Sequence, residues 1–324
     1  MSSPGERDTS EWYRSFGEAE ARGQSAIYEE WALGVADDAE VLSLIDGLPL
    51  QKRQPNLVFA CARLLGAAEG GYPELRRWLV HNFAALATET LRRSTQTNEA
   101  RRCASLLPAL SMLAGPLALL EIGASAGLCL YPDRYSYSYD GSEPIDPADG
   151  RSAVLLESTT TGPVPVPSVL PQVVWRSGID LRPLDVRDAH DVKWLETLVW
   201  PEQAERRERL RSAIGIVRSD PPRLAEGDAI DLLAGVAQNA PPGATLVVIT
   251  SAVLVYLPFA ERMRLVESIL RLDANWISLE SDRGLPAVRA QLPVDGGSDS
   301  RFVLALDQRP LAYTGANGQS LDWL

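Results

Sequence analysis

Histidine is nearly absent from this chain. Two occur among 324 residues, His81 and His190. A histidine-rich metal site is therefore not expected. Cysteine is almost as scarce. Cys61, Cys103 and Cys129 show no CxxC spacing, and their odd number argues against both a disulfide framework and a zinc site. Such usage fits a reducing compartment. Long apolar runs are missing too; the stretch 244–257 is too short and too punctuated to span a bilayer. The N-terminus, MSSPGERDTSEWYRSF, is polar and has no apolar signal-peptide core. The expectation is a cytoplasmic protein with no membrane partner. Excess basic charge is absent as well: 31 Lys and Arg stand against 43 Asp and Glu, a net charge of −12. An acidic surface without a basic, aromatic tract argues against a nucleic-acid substrate. Arginine dominates the basic set and clusters locally, which leaves a small anionic substrate open.

What is present suits a globular α/β protein. Hydrophobic residues make up 45% and charged residues 23%, an ordinary balance for a chain that buries a core. No internal repeat is found. The pattern changes near residue 115. Before it, 25–46, 55–69, 73–93 and 99–113 carry apolar residues at helical spacing, with a break at Asp37-Asp38 and prolines opening two of the runs. After it, short apolar runs alternate with helical stretches. Strands are expected at 117–122, 173–181, 244–250, 274–280 and 302–306, with a short one before Gly227-Asp228. The stretch 135–160 reads as exposed strands or a hairpin-like excursion, and 161–171, with four prolines, as a connector. Helices are expected at 188–217, interrupted at Trp200-Pro201, and at 258–272. Alternation of this kind implies a mostly parallel sheet covered on both faces. The expected division is a helical segment over 1–115 and an α/β domain over 116–324.

The turn after the first strand carries the chemistry. LALLEIGASAGL at 117–128 runs from a buried strand through Glu121 into Gly123, Ala124, Ser125 and Gly127. In a doubly wound sheet, ligands sit beyond the carboxyl ends of the strands, and small residues there let the backbone approach them. Serine at 125 departs from GxGxxG, so a dinucleotide is not the expected ligand. The spacing acidic-x-Gly-x-x-x-Gly is similar to the first motif of class I S-adenosylmethionine-dependent methyltransferases. That resemblance implies a Rossmann-like, doubly wound sheet. It also implies that Glu121 and the glycines surround the methionine part of the cofactor. Asp180, ending the second strand, matches an acid that accepts from ribose hydroxyls. Asp228 lies where such folds contact adenine. Each aspartate reads equally well as a helix cap or turn residue.

Further stretches carry a second resemblance: RRSTQTNEARRCASLLPAL at 92–110, LLEIGASAGLCLYPDRYSY at 119–137, WRSGIDLRPLDV at 175–186, WLETLVWPEQAERRERLRSA at 194–213 and NGQSLDWL at 317–324. These resemble the uncharacterised bacterial DUF2332 family over nearly the whole chain, and that family resembles methyltransferases in its core. There are two departures. Asn317-Gly318 stands where the family usually ends in histidine-glycine before a tryptophan-containing tail. Thr250-Ser251 stands where it tends to hold histidine-serine.

Substrate-side candidates follow from position. The polar run 95–99 lies between two apolar helical stretches and is flanked by arginines. Gln96, Asn98 and Arg102 from this region are candidates for a hydrogen-bonding lid, with Thr97 or Asn98 as a helix cap in the plainer reading. Arg134 and Tyr135 lie just beyond the glycine turn, and alternation of Tyr135, Tyr137 and Tyr139 suits one strand face. Arg176 begins the second strand. Ser251 follows the strongest strand and Glu280 ends the next, so these two and Asn98 are the candidates for catalysis. Arg206, Arg207, Arg209 and Arg211 read as a solvated face. The sequence thus leads to methyl transfer from S-adenosylmethionine to a small molecule. A binding or sensing protein, or a degenerate fold used for interactions, is the alternative. No metal is called for, and the oligomeric state is left open.

Overall fold

The computed structural model describes residues 8–96, 99–293 and 301–324. Six α-helices come first: α1 (Thr9–Ser15), α2 (Ala26–Ala36), α3 (Ala39–Asp46), α4 (Pro55–Leu64), α5 (Tyr72–Arg92) and α6 (Arg102–Ser111). Strands β1 (Leu117–Ile122), β2 (Ser136–Tyr139), β3 (Leu155–Thr161) and β4 (Val173–Asp180) follow. Next come α7 (Ala189–Leu198), α8 (Ala204–Ser219), β5 (Arg223–Glu226), α9 (Ala229–Ala237) and β6 (Thr245–Ser251). The chain closes with α10 (Phe259–Leu270), β7 (Asn275–Ser281), α11 (Pro286–Arg289), β8 (Phe302–Leu306), β9 (Arg309–Thr314) and β10 (Ser320–Trp323).

By their contacts the described residues form two units. One runs up to Gln96 and adds Ala189–Glu208; the other covers Glu99 to Asp188 and Arg209–Leu324. The expected boundary at 115/116 falls inside the second unit, because α6 groups with the sheet, and α7 groups with the earlier helices.

The first unit is helical around an aromatic centre. The Phe59 ring meets Tyr28 at 5.2 Å, Trp31 at 5.4 Å and Tyr13 at 5.7 Å between centroids, mostly edge to face. Asp37 closes one helix and Asp38 starts the next: the Asp38 side chain accepts from the N–H groups of Glu40 and Val41, which splits the apolar run into α2 and α3. Arg63 donates to the carbonyls of Thr197 and Val199 and so ties α4 to the end of α7.

The second unit is built on one ten-stranded sheet of order β2-β3-β10-β9-β8-β7-β6-β1-β4-β5. Strands β5, β4, β1, β6 and β7 form a parallel block. Six of the nine neighbour pairings are parallel; the three antiparallel ones flank β8 and β9. β1 is buried at every position, as a central strand covered on both faces must be. Leu120 and Ile122 join Leu233 of α9 and Leu265 and Ile269 of α10 in one core. The opposite face meets α6, which contacts β3, β7 and β8. From β1 the chain builds outward through β4 and β5 on one side and returns to the other through β6 and β7. The order therefore reverses at β1, and such reversals open a crevice beyond the carboxyl ends of the strands.

Two regions differ from the sequence expectation. β2 is buried throughout and pairs in parallel with β3, so the two strands of 135–160 belong to the sheet and do not form a hairpin, while the connection at 140–153 is largely exposed. Two further strands, β9 and β10, follow β8. Asp307 and Gln308 both take positive φ, 48° and 66°, and make the two-residue turn that folds β8 onto β9. Neither residue is glycine, so the turn carries little signal in the sequence. No helix among the described residues is long and apolar enough to cross a membrane.

Candidate functional site

The carboxyl ends of the strands at the switch point are bounded by the turns that follow β1 and β6. The first turn is held in an unusual backbone state. Gly123, Ser125 and Gly127 have φ of 73°, 52° and 74°. For serine this left-handed conformation is uncommon and costs of order 1 kcal/mol. It is locked from below: Ser125 N–H donates to Asp180 Oδ2 at 2.8 Å, and the N–H groups of Gly123 and Ala124 donate to the Ile179 carbonyl. Ala252, in the second turn, is also left-handed at 54°. Its lock is Glu280, whose carboxylate accepts from the N–H groups of Val253 at 3.1 Å and Leu254 at 3.3 Å. Two strained non-glycine residues thus stand in the two turns that follow β1 and β6.

The glycines themselves have a packing reason. A Cβ on Gly123 would lie 2.5 Å from the Val253 side chain, and one on Gly127 would lie 2.7 Å from Pro222. Side chains of the protein occupy the space that these glycines leave.

Glu121 is the unsatisfied polar point of this buried region among the described residues. It is the penultimate residue of β1, 5% exposed, and its side chain lies on the face opposite Leu120 and Ile122. Its Oε2 has no hydrogen-bond partner among the described residues. Burial pushes its carboxyl well above the usual carboxylate range; Cys129 and Asp180 add to this, and Arg102 opposes it. Arg102, 4% exposed, opens α6. Its Nη1 donates to the Ser251 carbonyl at 3.2 Å and to Ser251 Oγ at 3.3 Å, and its Nε donates to the Ala316 carbonyl at 3.0 Å. One guanidinium thereby joins α6, the end of β6 and the turn before β10. The Glu280 carboxyl is pushed up to about 7 by burial, against the Val253 and Leu254 N–H groups and against Arg102 and Arg262.

Glu121, Ser251, Glu280 and Arg102 are therefore gathered around the carboxyl ends of β1, β6 and β7. Asp180 belongs to the same end of the sheet, but as a support: its second oxygen accepts from Arg182 N–H at 2.7 Å. Asp228 caps α9 by accepting from Ile230 N–H at 2.8 Å, and it is exposed.

Three other candidates serve the scaffold. Arg176 makes a two-point pair with Asp133 at 2.5 and 2.7 Å and lies over the Tyr131 ring. Arg134 is exposed and pairs with Asp133 and Asp149. Tyr135 is fully buried and donates its hydroxyl to the Leu128 carbonyl. Tyr137 and Tyr139 likewise donate to backbone carbonyls, of Pro132 and Ala104. Gln96 belongs to the first unit, and Asn98 lies outside the described residues.

The sequence reading missed Glu99, which is 2% exposed and pairs with Arg209 at 2.9 Å. Arg209 therefore has a buried partner and is not simply part of a solvated face. It also missed the thiols beside Glu121. Cys103 Sγ donates to the Cys129 carbonyl at 3.5 Å, and Cys129 Sγ donates to the Glu99 carbonyl at 3.6 Å. A glutamate closing the polar run 95–99 and a cysteine two residues past Gly127 were the available signals.

A cleft of about 430 Å³ lies at the opposite end of β1, lined by Pro108, Met112, Leu117, Val166, Val169 and Gln172 among others. It has no ionisable lining residue and sits beyond the amino ends of the strands, where doubly wound sheets do not keep their chemistry.

Comparison with curated proteins and with solved structures yields no match. The family described as "Uncharacterized protein conserved in bacteria (DUF2332)" matches residues 10–323, and the chain belongs to that family.

Proposed function

We propose that this protein binds S-adenosylmethionine at the crevice beyond β1 and transfers its methyl group to a small molecule. The observation that carries the reading is Glu121. A buried carboxyl oxygen without a partner is costly, and an ammonium group is the natural complement to it. The amino-acid end of S-adenosylmethionine bears such a group. The strand order supports the reading: the parallel block reverses at β1, Glu121 stands near the carboxyl end of that strand, and Rossmann-like sheets bind their ligands beyond such ends. The residues fit the cofactor in kind. Glu121 would hold the amino group. Asp180, with one N–H on each oxygen, keeps lone pairs for ribose hydroxyls. Leu181, 69% exposed just past β4, offers an apolar face for the base.

When bound, the cofactor supplies an electrophilic sulfonium methyl. The chain then has to orient the acceptor and exclude water. Ser251 is fixed by Arg102, so its hydroxyl is oriented. Glu280 holds the 252–254 turn in place through two N–H groups and is a positioning residue in this scheme. Val255, Tyr256 and Phe259, each more than half exposed, rim the loop beyond β6 and favour an acceptor with an apolar body.

Calorimetry with S-adenosylmethionine and its demethylated product tests the binding. Glu121→Gln should weaken it about 10- to 100-fold, the worth of one charged hydrogen bond. A labelled-methyl assay with small-molecule extract then separates an enzyme from a sensor. Absence of any binding heat with the native protein would overturn the proposal. A second reading, a methyltransferase-type fold used only for interactions, is favoured by one observation: Val253 and Pro222 fill the space beside Gly123 and Gly127.

A further inference from the structure

Glu121 raises a question of charge that the binding proposal alone does not answer. Its neighbours come from each element packed against it: Arg102 and Cys103 from α6, Cys129 from the 3-10 turn at Leu128–Leu130, Tyr135 before β2, and Asp180 from β4. Arg102 is the one cation in this set. Its hydrogen bonds to described residues go to Ser251 and Ala316, not to Glu121. An ionised carboxylate in this position would be buried without a hydrogen bond to one of its oxygens, a state that proteins avoid by keeping the proton.

We infer that Glu121 is a neutral carboxylic acid in the ligand-free protein, and that an ammonium group docking against Oε2 drives its proton out to solvent. The inference rests on the proposed binding of S-adenosylmethionine and deepens it, because uptake becomes linked to pH. The ligand keeps its own ammonium protons. The Glu121 O–H bond breaks, the electron pair stays on the carboxylate, and the proton passes to buffer. Affinity then rises with pH, by at most tenfold per unit, for as long as the free protein holds the proton.

The test is titration calorimetry of the whole chain with S-adenosylmethionine at about pH 6.5, below the titration of an α-amino group. It is repeated in buffers of different ionisation enthalpy. The native protein should release about one proton on binding. Infrared spectra of the free protein supply an arm that does not depend on the affinity of a variant. A protonated-carboxyl stretch should be present, should fade when ligand is added, and should be missing from Glu121→Gln. Recording both in a Glu280→Gln background removes the band that the buried Glu280 carboxyl would add. Binding without proton release, or a free protein without the Glu121 band, overturns the inference and leaves the cofactor proposal standing. No binding at all removes the cofactor proposal, and the linkage falls with it.

Discussion

Glu280 shows how much a single residue's surroundings decide. In an unfolded chain its carboxyl ionises near 4.5; in the fold it is pushed up to about 7 by burial. The folded state therefore holds the proton more tightly. Its contribution to stability is fully present below about pH 4.5 and is lost as pH rises toward 7, a swing of about 3 kcal/mol. Glu280→Gln removes the titration and can still accept one N–H. Denaturant unfolding of both proteins between pH 4 and 8 should show the variant gaining on the native protein as pH rises. Parallel curves would mean that Glu280 titrates normally. The result bears on function, because Glu280 holds the turn with the left-handed Ala252.

At the scale of elements, the competing readings of Asp228 can be separated. It stands at the start of α9 and accepts the Ile230 N–H, so Asp228→Ala should cost about 1 kcal/mol of stability. Thermal unfolding measures that loss. Affinity for S-adenosylmethionine should change less than about twofold if the cap is its whole role. A tenfold loss of affinity would return it to the cofactor site that its sequence position suggests. The helices and strands themselves were largely readable. β1, β4, β6, β7 and β8 lie where continuous apolar runs imply buried strands, and α10 follows its apolar spacing. β9 and β10 were not readable. β9 begins with Arg309-Pro310 and follows a turn without glycine, and β10 has four residues, so neither shows a period long enough to recognise.

Across the whole molecule, the sheet depends on its last strand. β10 lies between β9 and β3 and is the only described link by which β2 and β3 join the rest of the sheet. The turn just before it supplies the Ala316 carbonyl to Arg102. Ending the chain after Thr314 should therefore split the sheet and leave a buried cation short of one acceptor. The expected cost exceeds about 4 kcal/mol, among the largest seen for local changes. Circular dichroism and hydrogen exchange of the truncated chain should show lost protection in β2, β3 and β9. Retained protection there would mean that the strands pair without β10.

Local sequence alone determined the α/β class, the glycine turn after β1 and the acids at the strand ends, because apolar period and turn residues act over a few positions. Partnership was decided only by tertiary structure. Asp180 spends its oxygens on backbone N–H groups, Arg176 and Tyr135 hold the scaffold, and one oxygen of Glu121 has no partner among the described residues. The physical reason is that burial and hydrogen bonding arise between residues distant in the chain. Arg102 meets Ser251 across 149 positions, and no local pattern encodes such a meeting.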